Sequence, residues 1–479
     1  MEEIDGRHAL KFGVRKYISI LITLTVAIIL GLVVGIVSTV SSLHMELVQF
    51  TILLNCMFIA FYINIYKENI LLPYVILIWA LSPEIRRVVD WLFHTYSEVS
   101  IISVIPYCVS LILLVPILRN KSLLNRRIKF IAIIMGVTLT YGFCIGFLKY
   151  GMASVFDFLN YAVPFLVLIY VNVCGLNIDV RNRWLKNFSY LGVFVAAYGI
   201  YQYLVLPQWD EFWMINADMN SIGTPEPLNF RLFSTINSPG PTGLFLAFSL
   251  AIMIVQKKWR AFGLVGMMIV AFALLLTLVR SGWIAFIVLI LAYLIRSQLK
   301  NKIMLIALLA VIGLAYQFIL PMLPGASSIT SRIETLNSLE GDHSFNERLS
   351  FSTNILSDII RNPIGKGLGS TGLGTKISNN SSDFVTFDNG YLNIFYTFGL
   401  PLGLALIATL FYLAIYFYKS SGKEKVFFPI SFAAIVASLF LLSGSNIIQG
   451  ISGVIVWFIA ALAFISPPQH EQNKGGYLP

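Results

Sequence analysis

Charge is scarce in this sequence. Charged residues fill 12% of its 479 positions, against about 25% in soluble proteins, while 57% are hydrophobic. Helices without polar outer faces exclude a soluble globule of this length. Cysteine is rarer still: Cys56, Cys108, Cys144 and Cys174 lie in or beside apolar runs. None has the spacing of a disulfide framework or a metal site, so they read as small core hydrophobes. No run of five or six basic residues occurs, so the net charge of +10 does not indicate a nucleic-acid-binding arm. A Walker-type phosphate loop is missing, and no His, Asp and Glu cluster stands at ligand spacing. The expected cofactor and metal content is therefore none. A cleavable signal peptide is not evident either. Met1 to Lys16 is polar, and the apolar run to Val40 is too long for a signal core, so it reads as a first span and anchor.

What is present is a series of long apolar runs, the mark of transmembrane helices. Candidate spans run approximately 17–40, 47–66, 70–83, 101–118, 129–148, 155–175, 186–206, 240–256, 261–279, 281–297, 303–320, 390–418, 426–443 and 448–466. The expected fold is an all-α polytopic integral membrane protein with about 12–14 transmembrane helices and a large outer loop containing short helices. Span 70–83 is short for a bilayer needing roughly 20 apolar residues, and Pro73 and Pro83 bound it. Span 390–418 is long, so its outer end is expected to project from the hydrocarbon. Four regions follow: N-terminal helices 1–184, a central region 185–320 with outer loop 207–239, a large outer loop 321–389, and C-terminal helices with a tail, 390–479.

Basic residues set the orientation. With the N-terminus inside, all but ten of the 33 lysines and arginines fall in inner segments. Short loops with such a bias face the cytoplasm, so both termini are expected inside, with 207–239 and 321–389 outside. The ten exceptions are Arg86, Arg87, Lys149, Arg231, Arg280, Arg332, Arg348, Arg361, Lys366 and Lys376. Arg280 sits in Leu276-Thr277-Leu278-Val279-Arg280-Ser281-Gly282-Trp283, between two apolar runs with little loop. Such a charge either faces a polar cavity or partner, or snorkels to the interface beside Trp283. Ser82 to Trp91, with Arg86 and Arg87, reads as an interfacial helix or an addition to an anion site. Asp157 reads as a structural hydrogen-bonding group.

The long polar stretch 321–388 gathers Arg332, Glu334, Glu340, Asp342, His343, Glu347, Arg348, Arg361, Lys366 and Asp388. Long loops between spans are functional or disordered, and this one carries its own helical and glycine-rich patterns. Asn346 to Asn362 is expected to form an amphipathic helix ending at Asn362-Pro363. Ile364-Gly365-Lys366-Gly367-Leu368-Gly369 follows, either a tight turn after the helix or an approach for backbone amides to an anion. Arginines suit an anionic ligand because their planar fork takes two phosphate oxygens at once.

These pieces resemble the O-antigen ligase and O-antigen polymerase superfamily of membrane glycosyltransferases. The resemblance spans roughly 185–465. Its pieces are Gly199-Ile200-Tyr201-Gln202, Arg231 to Gly243, Arg280-Ser281-Gly282-Trp283, the Arg348 to Gly369 stretch with Asn-Pro-x-Gly-x-Gly-x-Gly, and Asp388-Asn389-Gly390-Tyr391-Leu392. It implies catalysis outside the cytoplasmic membrane on undecaprenyl-diphosphate-linked oligosaccharides. Arg231 and Arg280 would hold the donor diphosphate, with Arg348, Gly367, Gly369, Asn389 and Tyr391 completing the substrate site. Ligases commonly place histidine where this chain has Asp388; an aspartate can still orient or deprotonate a hydroxyl. His343 is a second candidate for the missing imidazole. The departure at Asp388 favours a polymerase or a relative from a cell without lipopolysaccharide, and the leading reading is a polymerase of repeat units that releases undecaprenyl diphosphate. A ligase to another acceptor and a polysaccharide flippase or exporter are the alternatives. Outer-side ionisable groups and the lack of a repeated half speak against the transporter. Expected partners are the lipid-linked donor and acceptor, the bilayer, and flippase and chain-length regulator proteins; nucleic acid is not expected.

Overall fold

The computed structural model describes residues 45–217, 222–297, 343–372, 389–420 and 426–464, with residues 302, 330, 375 and 387; for 343–349 only the backbone is described. Spans 17–40 and 303–320 lie outside the described residues. The described chain is all-α, without a strand.

Its first helices are α1 (Met45–Tyr66) and α2 (Glu68–Leu92). The short α3 (Ile105–Leu111) and α4 (Leu114–Arg119) follow, then α5 (Arg126–Tyr150), α6 (Met152–Cys174) and α7 (Ile178–Val205). The short α8 (Gln208–Asn216) leads to α9 (Pro239–Val255), α10 (Gly263–Leu276) and α11 (Arg280–Arg296). Helix α12 (His343–Arg361) lies in the long loop, and α13 (Gly390–Ser420), α14 (Phe427–Leu441) and α15 (Gly450–Ala461) complete the described chain. Among the described residues, seven segments are long and apolar enough to cross a membrane: α1, α2, residues 101–119, α5, α6, α7 and α13. Four shorter apolar helices, α9, α10, α14 and α15, stand among them.

Helix α1 identifies the solvent. Leu47, Phe50, Leu54, Phe58, Phe61 and Ile65 line an exposed stripe at helical spacing, while Gln49 and Asn64 are buried. Apolar outside and polar inside is the pattern of a helix facing lipid. At the centre, α9, α14 and α15 are buried along nearly their whole length. Helix α6 packs on α15, and α14 packs against both α11 and α13.

Three spans differ from expectation. The short span 70–83 is a 25-residue helix with both prolines inside it. Pro73 has no N–H to give the Asn69 carbonyl, and the Trp184 indole donates to that carbonyl instead. With the acceptor satisfied, the helix continues. Span 101–118 is broken into a 3-10 turn (Ile101–Val104), α3 and α4. Span 390–418 is not one continuous rod: Gly399, at φ 77° and ψ 171°, breaks α13 just before Pro401.

Polar contacts gather at two ends of the bundle. At one, Tyr170 donates to the Glu68 carbonyl (2.6 Å), Arg181 to Leu462 and Phe464, and Trp259 to Asn182 (2.9 Å). At the other, Tyr107 donates to Asn160 (2.9 Å), Leu232 to Leu276 and Gly390 to Leu442. Each set joins helix ends that the distribution of basic residues assigns to one side, so the alternation of spans is internally consistent.

Candidate functional site

The segment carrying Arg231 is fixed atom by atom. Its entry is pinned by an isolated antiparallel bridge between Gly223 and Phe230 and by the Arg231 amide on the Ile222 carbonyl (2.7 Å). Ser234, with φ 54°, donates its amide to Gln202 Oε1 (2.8 Å) and its hydroxyl to the Val195 carbonyl (2.6 Å). Thr242 Oγ1 donates to the Phe233 carbonyl (2.6 Å), tying the segment to the start of α9. Gly199 supplies the room, because a Cβ there would come 2.7 Å from the Leu232 side chain. Two members of the Gly199–Gln202 motif thus shape and hold the Arg231 segment.

Arg280 is the first residue of α11, after a turn in which Leu278 adopts φ 52°. A non-glycine residue in that region costs roughly 1–2 kcal/mol, so the turn needs support from outside. Thr277 Oγ1 and the Trp283 indole both donate to the Leu274 carbonyl (2.7 and 2.9 Å). Trp283 is buried at 8% exposure, so it anchors the turn and does not sit in an interfacial belt beside a snorkelling arginine. Below it, a Cβ on Gly282 would stand 3.1 Å from the Gly243 backbone, and this close crossing sets α11 against the start of α9.

The two arginine segments meet. The Leu232 amide donates to the Leu276 carbonyl (3.1 Å), one residue after Arg231 and four before Arg280. Both arginines are half-buried at this end of the bundle, and neither is without a partner.

The glycine turn does something else. The amides of Lys366 and Gly367 donate to the Tyr396 and Thr397 carbonyls (2.8 and 2.9 Å), and that of Leu368 to Gly142 (2.9 Å). Gly369 donates its amide to Asp157 Oδ2 (3.0 Å), giving Asp157 the structural role expected of it. The turn threads among α5, the start of α6 and the break in α13. Gly367 and Gly369 both have positive φ, and Cβ atoms there would meet Gly146 N at 2.4 Å and Ser154 N at 2.7 Å. Four successive amides are committed to the fold, which makes this turn a lock.

Asn389 and Tyr391 also sit in structural contacts. Asn389 Oδ1 accepts the Leu392 amide (3.1 Å), capping α13, and the Tyr391 hydroxyl donates to the Leu439 carbonyl. Helix α12 runs from His343 to Arg361, so it starts three residues before the expected Asn346 and ends just before Asn362-Pro363, where the pattern placed its end. It packs Ile355 and Ile359 on Tyr396, with Phe387 between Phe351 and Tyr396. Arg348 and His343 lie on α12, and their side chains are outside the description. Asp388, Arg332 and Lys376 lie outside the described residues.

Two buried polar groups lie near this end; sequence reasoning passed over the first and marked Arg87 of the second without its pairing to Asp210. In one, Asn446 Nδ2 donates to Asn393 Oδ1 (2.7 Å) and to the Tyr161 hydroxyl, while Asn393 Nδ2 donates to Thr371 (2.9 Å). In the other, Arg87 pairs with Glu84 and Asp210. Amides and hydroxyls in apolar runs were the available signal; Asp157, Asn160 and Tyr161 share one helical face at the i, i+3, i+4 spacing.

An all-α bundle with lipid-facing apolar stripes defines a polytopic membrane protein, and at one of its ends the segments carrying two half-buried arginines are joined. Residues 265–407 match the family model described as O-antigen ligase. This match supports a place for residues 265–407 in the O-antigen ligase and polymerase superfamily. The match includes the Arg280 turn, α12, the glycine turn and the start of α13; Arg231 lies before it. No curated protein sequence matches the chain.

Proposed function

We propose that this protein is a glycosyltransferase working at the outer face of the bacterial cytoplasmic membrane, polymerising undecaprenyl-diphosphate-linked oligosaccharide units. The observation that supports it best is the junction of the Arg231 and Arg280 segments through the Leu232–Leu276 hydrogen bond. A hydroxyl of the acceptor glycan attacks the anomeric carbon of the donor sugar. The new glycosidic bond forms as the bond from that carbon to the phosphate oxygen breaks, and undecaprenyl diphosphate leaves with the bonding pair. Arg231 and Arg280 stabilise the charge that grows on the leaving oxygen. Asp388 orients the attacking hydroxyl and takes its proton. The Gly390 amide beside Asn389 donates to the Leu442 carbonyl at the end of α14, and α14 also packs on α11, the helix that Arg280 begins. Arg348 is a third contact for the donor. Energy comes from the activated donor, so no ATP is needed. Both termini lie in the cytoplasm.

Transfer to a different acceptor is the second reading, favoured by the ligase description of the matching family. Purified lipid-linked units in proteoliposomes separate the two. Wild-type protein is expected to yield polymer from the units alone; a ligase yields product only when a second acceptor is supplied. Arg231→Ala and Arg280→Ala are each expected to lower turnover by about 100- to 1000-fold, the range for losing one such charge-stabilising donor. Unchanged turnover in both variants would sink the site assignment. Movement of units across the bilayer without chain growth would replace the enzyme with a flippase.

A further inference from the structure

Arg87 is a heavily engaged charge, and no step above uses it. Its side chain is fully buried at the end of α2. Nε stands 2.7 Å from Asp210 Oδ1, and Nη2 pairs with Glu84. Nη1 donates to the Ile236 carbonyl (3.2 Å), and Nη2 also donates to the Ser234 carbonyl. The rings of Trp213 and Phe233 lie 5.5 and 5.0 Å from the guanidinium carbon. The two carboxylates are themselves tied together: the Tyr198 hydroxyl contacts both Glu84 and Asp210, and the Trp209 indole donates to Glu84 (2.6 Å).

Both carbonyls that Arg87 holds belong to the segment between Arg231 and α9. Gln202 grips Ser234 in the same segment, and Leu276 takes the Leu232 amide. Burying a charged triad is costly, and a neutral donor would bond one carbonyl more cheaply. Only a planar fork with five N–H groups spans two carbonyls and two carboxylates at once. Such a device fixes direction as well as contact.

We propose that Arg87, oriented by Glu84 and Asp210, is a positioning residue that acts through residues 232–236 to aim Arg231 at the donor diphosphate. It rests on the assignment of Arg231 to the donor. Arg87→Lys keeps the charge but cannot span all four acceptors, so it is expected to fold and yet lose about 10- to 100-fold in turnover, the scale of a small misplacement. The effect must run through Arg231. The double variant Arg87→Lys/Arg231→Ala is expected to be no slower than Arg231→Ala alone, because coupled sites do not add. Multiplying losses would overturn the proposal. Hydrogen exchange gives a readout independent of activity: amides of residues 232–236 are expected to exchange faster in Arg87→Lys, with those of α14 unchanged. Unchanged exchange in 232–236 would also overturn it. Should Arg231→Ala retain full turnover while that exchange rises, the donor assignment has failed and the clamp stands as a holder of the segment only, which overturns its positioning role. If Arg87→Lys does not fold, Tyr198→Phe removes only the hydroxyl shared by the two carboxylates. It is expected to show the same faster exchange and the same non-additivity with Arg231→Ala, and the lack of either is equally fatal.

Discussion

Replacing Gly365 by alanine tests the junction on which the long loop depends. Gly365 has φ 88°, and a Cβ there would lie 2.4 Å from Gly399 N, 2.8 Å from the Thr397 carbonyl oxygen and 2.9 Å from the Phe398 carbonyl carbon. These are backbone atoms, so no side chain can swing aside. Ordinary contact begins near 3.5 Å, so the turn and α13 must separate by about 1 Å. Three hydrogen bonds bridge that gap: Lys366 to Tyr396 (2.8 Å), Gly367 to Thr397 (2.9 Å) and Leu400 to Pro363 (2.8 Å). Losing two or three of them at about 1 kcal/mol each, plus about 1–2 kcal/mol for the conformation, gives a cost of about 3–5 kcal/mol. Two controls isolate the terms. Gly151→Ala has φ 55° with nothing within 4 Å of the new Cβ, so it carries only the conformational cost. Gly136→Ala, inside α5 with nothing within 4 Å, is expected to be neutral or slightly stabilising. The assay is the apparent unfolding midpoint of purified protein in nanodiscs at one scan rate. The expected order is Gly136→Ala at or above wild type, then Gly151→Ala, then Gly365→Ala lowest by a clear margin. Equal midpoints for Gly365→Ala and Gly151→Ala would refute the backbone contact and the lock with it.

Other expectations can be checked with the same material. Asn389→Ser keeps a capping oxygen and should retain stability and activity, whereas Asn389→Ala should lose about 1 kcal/mol of stability; loss of activity in the serine variant would instead assign Asn389 to substrate. Gly282→Ala places a Cβ 3.1 Å from the Gly243 backbone, so α9 and α11 must part by a few tenths of an ångström. Turnover should fall while the protein remains folded, and wild-type turnover would disconnect this crossing from the site. Trp283→Phe loses the bond to Leu274 and should cost about 1 kcal/mol, read as a lower unfolding midpoint. Burial pushes the Asp210 carboxyl up, against the opposing pull of Arg87. A carboxyl with a raised folded pKa holds its proton more tightly in the fold, so its contribution favours folding in acid and is lost as pH rises from about 4, the unfolded value, through the raised one. Asp210→Asn should therefore flatten the fall in stability over that window; an unchanged slope would mean the carboxyl is not the group responsible.

The membrane class was legible because long apolar runs leave few alternatives, and the basic residues ordered the spans. Helix breaks were less legible. Pro73 and Pro83 looked like ends of a span, yet what decides is whether the freed carbonyl finds a donor, and the donor to Asn69 is Trp184, far along the chain. The Arg231 and Arg280 motifs were visible as outward charges in apolar surroundings, but the hydrogen bond joining their segments was not. Arg87 stood among the same outward charges. Its place in a buried triad depends on Asp210, which sequence alone gives no reason to pair with it. The glycine turn shows the sharpest divergence, because φ-permissive residues serve an anion cradle and a tight backbone crossing equally well.

One rule connects the scattered pieces of this fold. Where water is excluded, a carbonyl released by proline must find another donor. In α13, Pro401 cannot serve the Thr397 carbonyl, and the Leu400 amide turns to Pro363 and leaves Tyr396. Gly367 and Lys366 take those two places. The Asn-Pro-x-Gly-x-Gly-x-Gly stretch and the Gly-Leu-Pro break are thus two halves of one joint. Glycines are needed on both sides because backbone meets backbone there. The same accounting bears on chemistry. With the amides from Lys366 to Gly369 already engaged, these four backbone donors are not free to bind a diphosphate. In the proposed reaction, stabilising the leaving group then falls to side chains, the role proposed above for Arg231 and Arg280, whose segments are joined by a backbone hydrogen bond.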